Sequence, residues 1–293
     1  MKIRIGTRAS KLAIIQAETI KNLLDNRGYT TEIIKITTSG DRVLDRPIDR
    51  IGGYGVFSRE IEKQLLSKEI DLAVHSLKDL PSILHHGLEL AKAVKAHDPR
   101  DVFVGKKPVN SIEELNNKII ASSSVRRKAL MKEHLKGITF TNIRGNIDSR
   151  LRKVREEKID GSIFAKAGLD RLGVDQDYFI LDPEIFIPAP CQGILGVEFR
   201  EEDSYLRDIF EEEYDEFSNF RMEVERAFQK ELSATCSSPV GIYTKLNGDK
   251  VELFGCFKKD DDDYLHLDKI SGSKREAVFL AKNLAKKLRS KNE

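Results

Sequence analysis

Apolar segments of strand length alternate with amphipathic helical segments along most of this chain. Lys2 to Ile5 and Thr31 to Ile36 are short apolar runs, and a helical pattern that follows Ser10 lies between them. A second helical pattern precedes a third apolar run, Leu72 to Val74. This strand–helix–strand–helix–strand order favours parallel pairing, so we predict a doubly wound α/β sheet.

The alternation begins again after Asp98-Pro99-Arg100-Asp101, which has the composition of a linker. Gly193 to Phe199 is predicted to return the chain to the first domain. Near the carboxyl end, Asn247-Gly248 predicts a hairpin, and Ser273 is predicted to begin a final helix. We therefore predict two doubly wound α/β domains, residues 1–97 with 193–213 and residues 98–192, and a small α+β domain over residues 216–293.

The composition is that of an ordinary soluble protein and excludes few functions. Of 293 residues, 40% are hydrophobic and 33% are charged, and the net charge is only +2. A balance this close to neutral gives no overall field for binding nucleic acid. No segment has the apolar length of a membrane helix or a signal peptide, so we predict a cytoplasmic protein.

The three cysteines differ in their local sequence. They form no CxxC pair, which fits neither a disulfide framework nor a zinc site, and we predict no metal. Cys256 shares an alternating strand face with Phe254, so we expect it in the core. Cys236 lies among small and hydroxyl residues in ATCSSPVG and could be exposed. A free thiol, a nucleophile and a covalent attachment point all remain open for it.

The third apolar run ends in a polar cluster, HSLKD, at residues 75–79. Ligands of open α/β sheets bind outside the carboxyl ends of the strands. Pro81 disfavours helix at the residue before it, so we expect an extended turn here. We interpret His75 as a hydrogen-bonded strand-end residue rather than a base. Asp79 could bind ligand NH groups or stabilise a cation, or it could form a structural ion pair with Lys78 or an arginine.

Arginines recur at or near the predicted helix starts that follow strands. Backbone NH groups at a helix start already favour anions, and a guanidinium adds paired hydrogen bonds to carboxylates. Any one of these arginines could instead be a surface side chain or an ion-pair partner. As a group they favour a polyanionic ligand, because a cation at a helix start opposes the helix dipole. The residues are Arg8, Arg126, Arg127, Arg144 and Arg150.

Several segments together resemble the porphobilinogen deaminase family, also called hydroxymethylbilane synthases. They run in family order through the chain: GTRASKLA (6–13), TTSGD (37–41), AVHSLKDLP (73–81), DPRD (98–101), SSSVRR (122–127), IRGNIDSRL (143–151), AKAGLDRLG (165–173) and PAPCQGILGVE (188–198). The resemblance implies a transferase of porphyrin and heme biosynthesis. Such enzymes join four porphobilinogen molecules head to tail into linear hydroxymethylbilane and release ammonia each time.

The resemblance also implies a fold, a cofactor and a set of site residues. The two α/β domains would be like those of periplasmic binding proteins. A dipyrromethane cofactor would be held by a thioether to Cys236, and Asp79 would be the catalytic residue. The protein would act as a monomer on porphobilinogen and the growing pyrrole chain. The implied cofactor-binding residues are Lys78, Asp79, Ser122, Ser123, Ser124, Arg126, Arg127, Arg144 and Arg150, and the implied substrate-binding residues are Arg8, Ser10, Gln16, Arg144, Arg150 and Arg171, with Arg226 as a further contact.

The chain departs from the usual family pattern at three places. Tyr54 stands where a lysine is common, Cys191 stands where a glycine is usual, and ATCSSP replaces the usual residues around Cys236. An alternative function is a non-catalytic two-domain protein that binds a polycarboxylate, since arginines alone would suffice for binding. A receptor of that kind needs neither Asp79 nor Cys236. An RNA-binding function is disfavoured because the basic region near Arg144 lacks interleaved aromatic residues.

Overall fold

The computed structural model describes residues 2–38, 58–233, 238–259 and 264–291. Many of the strands lie where short apolar runs occur in the sequence. In chain order they are β1 (Lys2–Arg8), β2 (Thr30–Ile36), β3 (Leu72–Ser76), β4 (Leu88–Leu90), β5 (Asp101–Gly105), β6 (Ile119–Ala121), β7 (Thr139–Thr141), β8 (Gly161–Ala165), β9 (Phe179–Ile180), β10 (Leu195–Arg200), β11 (Val240–Asn247), β12 (Lys250–Phe257) and β13 (His266–Ser273).

The helices follow amphipathic segments, and polar side chains cap several of their amino-terminal ends. Ser10, Ser124 and Asn146 each accept a hydrogen bond from the backbone three residues later. The α-helices are α1 (Lys11–Asn26), α2 (Arg59–Leu66), α3 (Val125–His134), α4 (Ile147–Glu156), α5 (Lys166–Leu172), α6 (Ser204–Glu213), α7 (Glu216–Leu232) and α8 (Ala277–Ser290).

The chain divides into two compact units, the first formed by residues 1–97 and 193–222. The sheet of this unit has the strand order β2-β1-β3-β10-β4. The pairs β1–β2 and β1–β3 are parallel, as the alternation predicts, whereas β10 pairs antiparallel with both β3 and β4. The strand predicted at Gly193 to Phe199 therefore does join the first sheet.

Helices cover both faces of this first sheet, so it is doubly wound. On one face, Leu72 and Val74 of β3 pack with Ala17, Ile20 and Leu24 of α1. On the other face, Ala73 of β3 packs with Ile61 and Leu65 of α2. Successive residues of a strand point to opposite faces, which is why neighbours on β3 belong to different cores.

The second unit comprises residues 98–192 and 223–293 and contains two sheets. Its α/β sheet has the order β7-β6-β8-β5-β9, with β6 parallel to β7 and β8 and with β5 antiparallel to β8 and β9. Leu130 of α3 packs on one face, whereas Leu151 of α4 and Leu169 of α5 pack on the other. This sheet is doubly wound as well.

The small carboxyl-terminal sheet is an antiparallel meander with one helix. Strands β11, β12 and β13 pair in sequence order, and Gly248 takes a φ of +60° in the predicted turn between the first two. Ser273, which was predicted to begin the final helix, forms a capping box with Glu276 in the 3₁₀ turn before α8. Cys256 is buried in one core cluster with Phe103 and Ile163 of the α/β sheet, which confirms its predicted place in a core.

Two local predictions are corrected by the structure. Leu77–Asp79 form a short 3₁₀ turn rather than an extended one. Pro81 disfavours helical backbone only at the residue directly before it, Leu80, which is extended with φ −83° and ψ 146°. Antiparallel β5 and β10 are exceptions to the predicted parallel pairing. In the described part of the chain, no helix is long and apolar enough to span a membrane.

Candidate active site

A cavity of about 100 Å³ lies at the carboxyl ends of β1 and β3, within the first unit. Ser10 begins α1 here, with its hydroxyl 3.3 Å from the backbone nitrogen of Ala13. Gln16 is buried one turn later and donates from Nε2 to Ser76 Oγ at 2.9 Å. The cavity brings together the predicted residues Arg8, Ser10, Gln16 and Asp79 with Ser58, His75 and Ser76.

Asp79 is exposed at the edge of this cavity, at the end of the 3₁₀ turn that follows β3. Lys78 is half-buried in the same turn but does not line the cavity. Short turns after buried strands place side chains outside the sheet edge, which is the usual position of ligands in this class of fold. Asp79 therefore lines the cavity from the turn that follows β3.

His75 differs from its expected state. Its imidazole is buried, and Nε2 makes no hydrogen bond to any residue that the structure describes. Its ion-pair neighbour is Glu198 of β10, with 3.4 Å between Nε2 and Oε2. The interpretation of His75 as a hydrogen-bonded structural residue is therefore wrong at Nε2.

Arg126 and Arg127, in the first turn of α3 in the second unit, converge on one buried carboxylate. Arg126 Nη2 lies 2.9 Å from Asp101 Oδ2, and Arg127 Nη2 lies 2.7 Å from Asp101 Oδ1. Burial of Asp101 raises the pKa of its carboxyl, but the two guanidinium charges outweigh burial and hold that pKa well below its usual range. The guanidinium groups of Arg126 and Arg127 oppose the dipole of α3 at its amino-terminal end, and the carboxylate of Asp101 neutralises this positive charge.

Arg150 of α4 adds a further cation to this group. Its Nη2 donates to Ile163 O at 2.9 Å and to Ser162 Oγ at 3.3 Å, and its guanidinium lies over the ring of Phe164. Burial and the charge of Arg127 lower the pKa of Arg150 to about 10. Within the described residues, no carboxylate lies within ion-pair distance of Arg150.

The three predicted serines at the start of α3 have separate roles in the local backbone. Ser122 is buried and accepts from Ser124 N at 3.2 Å, and Ser124 in turn accepts from Arg127 N at 3.4 Å. Ser123 is exposed, and its hydroxyl bonds the backbone of Ile143. Together they hold the turn that presents the arginines.

The other predicted residues are half-buried or lie outside the described chain. Arg144 is half-buried in the loop after β7. Arg171 is half-buried on α5, where burial lowers its pKa to about 10, and Arg226 is half-buried on α7. Cys236 and Tyr54 lie outside the described residues.

The departure at Cys191 has a visible structural consequence. Cys191 is buried and takes a φ of +60°, in the left-handed region where glycine is usual. Its backbone nitrogen donates to the buried carboxylate of Glu225 at 2.6 Å.

Sequence reasoning missed the residues that organise the arginines. Asp101 appears in the sequence as the end of a linker, yet it is 1% exposed. Gln192 Nε2 donates to Asp101 Oδ1 at 2.9 Å and to Pro99 O at 2.6 Å. The available signal was an acid that begins the apolar strand β5. Glu198 carried a similar signal, as a charged residue inside the apolar strand β10.

Two family models match this chain over most of its length. The model described as "Porphobilinogen deaminase, dipyromethane cofactor binding domain" matches residues 3–208, and "Porphobilinogen deaminase, C-terminal domain" matches residues 219–290. The chain belongs to the porphobilinogen deaminase family. The dipyrromethane cofactor is thus a property of the family domain that this chain contains.

Curated members of the porphobilinogen deaminase family align with nearly the whole chain. The probable porphobilinogen deaminase of Picrophilus torridus is 41% identical over 261 residues, 89% of this chain and 91% of that protein. The porphobilinogen deaminase of Bacillus subtilis is 38% identical over 281 residues, 94% of this chain and 90% of that protein. That of Trichlorobacter lovleyi is 39% identical over 290 residues, 98% and 93% of the two chains.

Solved structures with a similar backbone are more distant in sequence. The periplasmic VFT2 domain of BvgS from Bordetella pertussis has a TM-score of 0.44 and 13% identity, covering 77% of this chain and 92% of that one. YhfZ from Shigella flexneri has a TM-score of 0.39 and 17% identity, covering 76% and 95%. Both TM-scores lie below 0.5, so we assign the α/β fold class from the strand order of the two α/β sheets and not from these structures.

Proposed function

We propose that this protein is a hydroxymethylbilane synthase, which condenses four porphobilinogen molecules head to tail and releases one ammonia in each step. The observation that carries the proposal is a group of three arginines, buried Arg126 and Arg127 and half-buried Arg150, of which only the first two pair with the carboxylate of Asp101 within the described residues. The acetate and propionate groups of porphobilinogen, and of chains made from it, are anions that such a group would bind.

The residues present fit a dipyrromethane cofactor. Arg127 Nε and Arg150 Nε are buried and have no hydrogen-bond partner among the residues that the structure describes. Unpaired donors on buried cations are costly, and carboxylates are the groups that would satisfy them. We propose that Arg126, Arg127, Arg144, Arg150, Lys78 and the serines at 122–124 hold the cofactor and that Cys236 forms its thioether. When bound, the dipyrromethane supplies a fixed pyrrole end to which substrate is joined.

The cavity of the first unit would receive porphobilinogen. Arg8, Ser10 and Gln16 supply a cation, a hydroxyl and an amide at its wall, which suit a carboxylate and polar groups of the substrate. Asp79 supplies a carboxylate that would stabilise positive charge on the pyrrole as ammonia leaves. Arg144, Arg150 and Arg171 would bind substrate carboxylates as chain growth proceeds. The cytoplasm and a monomeric state are the proposed location and assembly of the protein.

The experiment that tests this proposal is intact mass spectrometry of the purified protein, followed by an assay with porphobilinogen. We expect a mass that exceeds the chain by one dipyrromethane, and release of ammonia with formation of hydroxymethylbilane. Cys236→Ser should remove the excess mass, because the substitution removes the sulfur that forms the thioether. Cys191→Ser is the matched control and should retain the added mass.

Each outcome decides a separate part of the proposal. An unmodified protein that still makes hydroxymethylbilane would overturn attachment at Cys236. A protein that binds porphobilinogen without releasing ammonia would favour a non-catalytic polycarboxylate-binding role instead.

A further inference from the structure

Ser58 is a buried serine whose hydroxyl makes no hydrogen bond with the residues that the structure describes. The residue is 2% exposed, and its side-chain oxygen is shielded from solvent. A hydroxyl that leaves water without gaining a hydrogen bond loses free energy on folding, and an alanine at the same position would avoid this loss. The hydroxyl of Ser58 therefore destabilises the folded protein until a partner binds it.

Capping of α2 does not explain this serine. Ser58 O accepts a helical hydrogen bond from Glu62 N at 2.8 Å, which makes Ser58 the residue at the amino-terminal cap. A capping serine normally has an extended backbone, and its side chain accepts from a backbone NH of the first turn. Ser58 instead has φ −111° and ψ −30°, and its side chain makes no capping hydrogen bond. Ser10, at the start of α1, does cap its helix.

Ser58 lines the cavity at the carboxyl ends of β1 and β3. The other two serines of the described cavity wall already form hydrogen bonds. Ser10 Oγ accepts from Ala13 N at 3.3 Å, and Ser76 Oγ accepts from Gln16 Nε2 at 2.9 Å. A serine hydroxyl can turn from one staggered position to another without movement of the backbone. The hydroxyl of Ser58 can therefore serve a ligand in this cavity without breaking a bond to any described residue.

The donors and acceptors of the cavity indicate which ligand group this hydroxyl would bind. In porphobilinogen the pyrrole NH and the aminomethyl ammonium only donate hydrogen bonds, whereas the acetate and propionate groups accept them. Asp79 contributes a carboxylate to the cavity wall, and a carboxylate is a stronger acceptor for the donating groups than a hydroxyl is. The proton of Ser58 is thus left for a ligand carboxylate, which the guanidinium of Arg8 in the same wall also attracts.

We propose that Ser58 is a substrate-binding residue whose hydroxyl donates a hydrogen bond to a carboxylate of porphobilinogen. This inference rests on the function proposed above and adds a donor to Arg8, Ser10 and Gln16. The bond forms only when a ligand occupies the cavity, so it compensates the buried hydroxyl in the complex and not in the free protein. It supports the ground state and the transition state equally, because the carboxylate takes no part in the chemical step.

Steady-state kinetics of Ser58→Ala test this role. KM for porphobilinogen should rise by about 10-fold or more, because a hydrogen bond to a charged group is lost, whereas kcat should stay within about threefold of the wild type. Ser67→Ala is the matched control, since Ser67 is an exposed serine directly after α2, and it should leave KM unchanged. A lower kcat with an unchanged KM in Ser58→Ala would overturn the proposal.

Thermal unfolding of the same variant, without added porphobilinogen, separates binding from folding. Removing a buried hydroxyl that has no partner should keep or raise the Tm, by up to about 4 °C. A Tm below that of the wild type, or a variant that does not fold, would show that the hydroxyl supports the fold. Either result would overturn the proposal.

Direct binding of a pyrrole that cannot react gives a measurement independent of turnover. The probe carries the acetate and propionate groups of porphobilinogen, with a hydrogen in place of the aminomethyl group, and isothermal titration calorimetry gives its Kd. Ser58→Ala should weaken binding by about 10-fold or more, and Ser67→Ala should not. Equal Kd values for the wild type and Ser58→Ala would count against the role of Ser58 decisively.

These outcomes separate the role of Ser58 from the proposed function. A wild-type protein that releases no ammonia from porphobilinogen, but binds the unreactive pyrrole more tightly than Ser58→Ala does, would overturn the proposed function alone. Normal release of ammonia, with KM and Kd unchanged in Ser58→Ala, would overturn the role of Ser58 alone.

Discussion

At the scale of single residues, Asp79 combines exposure with a position at the edge of a cavity. Asp79→Asn keeps the size of the side chain and removes its charge. We expect kcat to fall by about 10²-fold or more while the dipyrromethane mass is retained, because the amide cannot stabilise a developing cation. Stability should change by less than about 0.5 kcal/mol, since Asp79 is exposed.

The measurement is steady-state turnover of porphobilinogen together with intact mass. Asp175→Asn, an exposed aspartate of the second unit, is the matched control and should retain full turnover. Near-normal kcat in Asp79→Asn would remove Asp79 from the mechanism.

Asp101 is expected to affect stability far more than Asp79 does. Asp101→Asn leaves the buried guanidiniums of Arg126 and Arg127 without their carboxylate. Removing one partner of a buried ion pair typically costs about 3–5 kcal/mol, so urea unfolding should show a loss of free energy in that range. Asp170→Asn, which removes the partly exposed i,i+4 pair with Lys166, should cost less than about 1 kcal/mol. Equal effects of the two substitutions would contradict the assigned importance of Asp101.

At the scale of elements, Asp268 of β13 joins the last strand to the end of the last helix. Its Oδ2 lies 3.0 Å from Lys287 Nζ and 2.7 Å from Lys291 Nζ. Burial raises the pKa of Asp268, but hydrogen bonds from the two lysines outweigh burial and lower that pKa to about 2. A depressed carboxyl pKa means that the stabilisation is present above about pH 4 and is lost as the pH falls towards 2.

Asp268→Asn should therefore destabilise the protein by about 1 kcal/mol at pH 7, and the difference should shrink between about pH 4 and pH 2. Urea unfolding of both proteins at several pH values measures this difference. Asp249→Asn, an exposed aspartate in the turn between β11 and β12, should show no such dependence. A difference that stays constant with pH would exclude the charge of Asp268 as its cause.

Elements were predictable where local signals dominate. The alternation of apolar runs predicted β1, β2, β3 and β10 to within a few residues, because a buried strand needs a short apolar run whatever surrounds it. The sequence predicted that β10 returns to the first domain, but not that it pairs antiparallel with its neighbours there. Pairing direction depends on where the chain re-enters the sheet, and no local pattern records that.

At the scale of the whole molecule, a bound polycarboxylate should stabilise the fold by neutralising the buried arginines. We expect Cys236→Ser, which cannot retain a covalent cofactor, to unfold at a Tm about 5 °C or more below that of the loaded wild type. The reason is that ligand binding to the folded state alone raises its stability. Differential scanning calorimetry measures both proteins.

The source of this stabilisation can be assigned with a second pair of variants. The loss of Tm on Cys236→Ser should be smaller when both proteins also carry Arg150→Gln, because that change removes a half-buried cation. Arg152→Gln, on the same helix but with an exposed side chain, should leave the difference unchanged. A difference that persists in Arg150→Gln would place the stabilisation elsewhere.

The sequence alone determined the alternation of strands and helices, the ends of strands where polar residues collect, and the family motifs. These follow from local patterns, since periodicity and turn residues act over a few positions. Only the tertiary structure decided which charges meet. Asp101 lies 25 residues from Arg126 along the chain, and Glu198 lies far from His75, yet both pairs are in contact. Burial and ion pairing depend on distances through space, which local sequence does not encode.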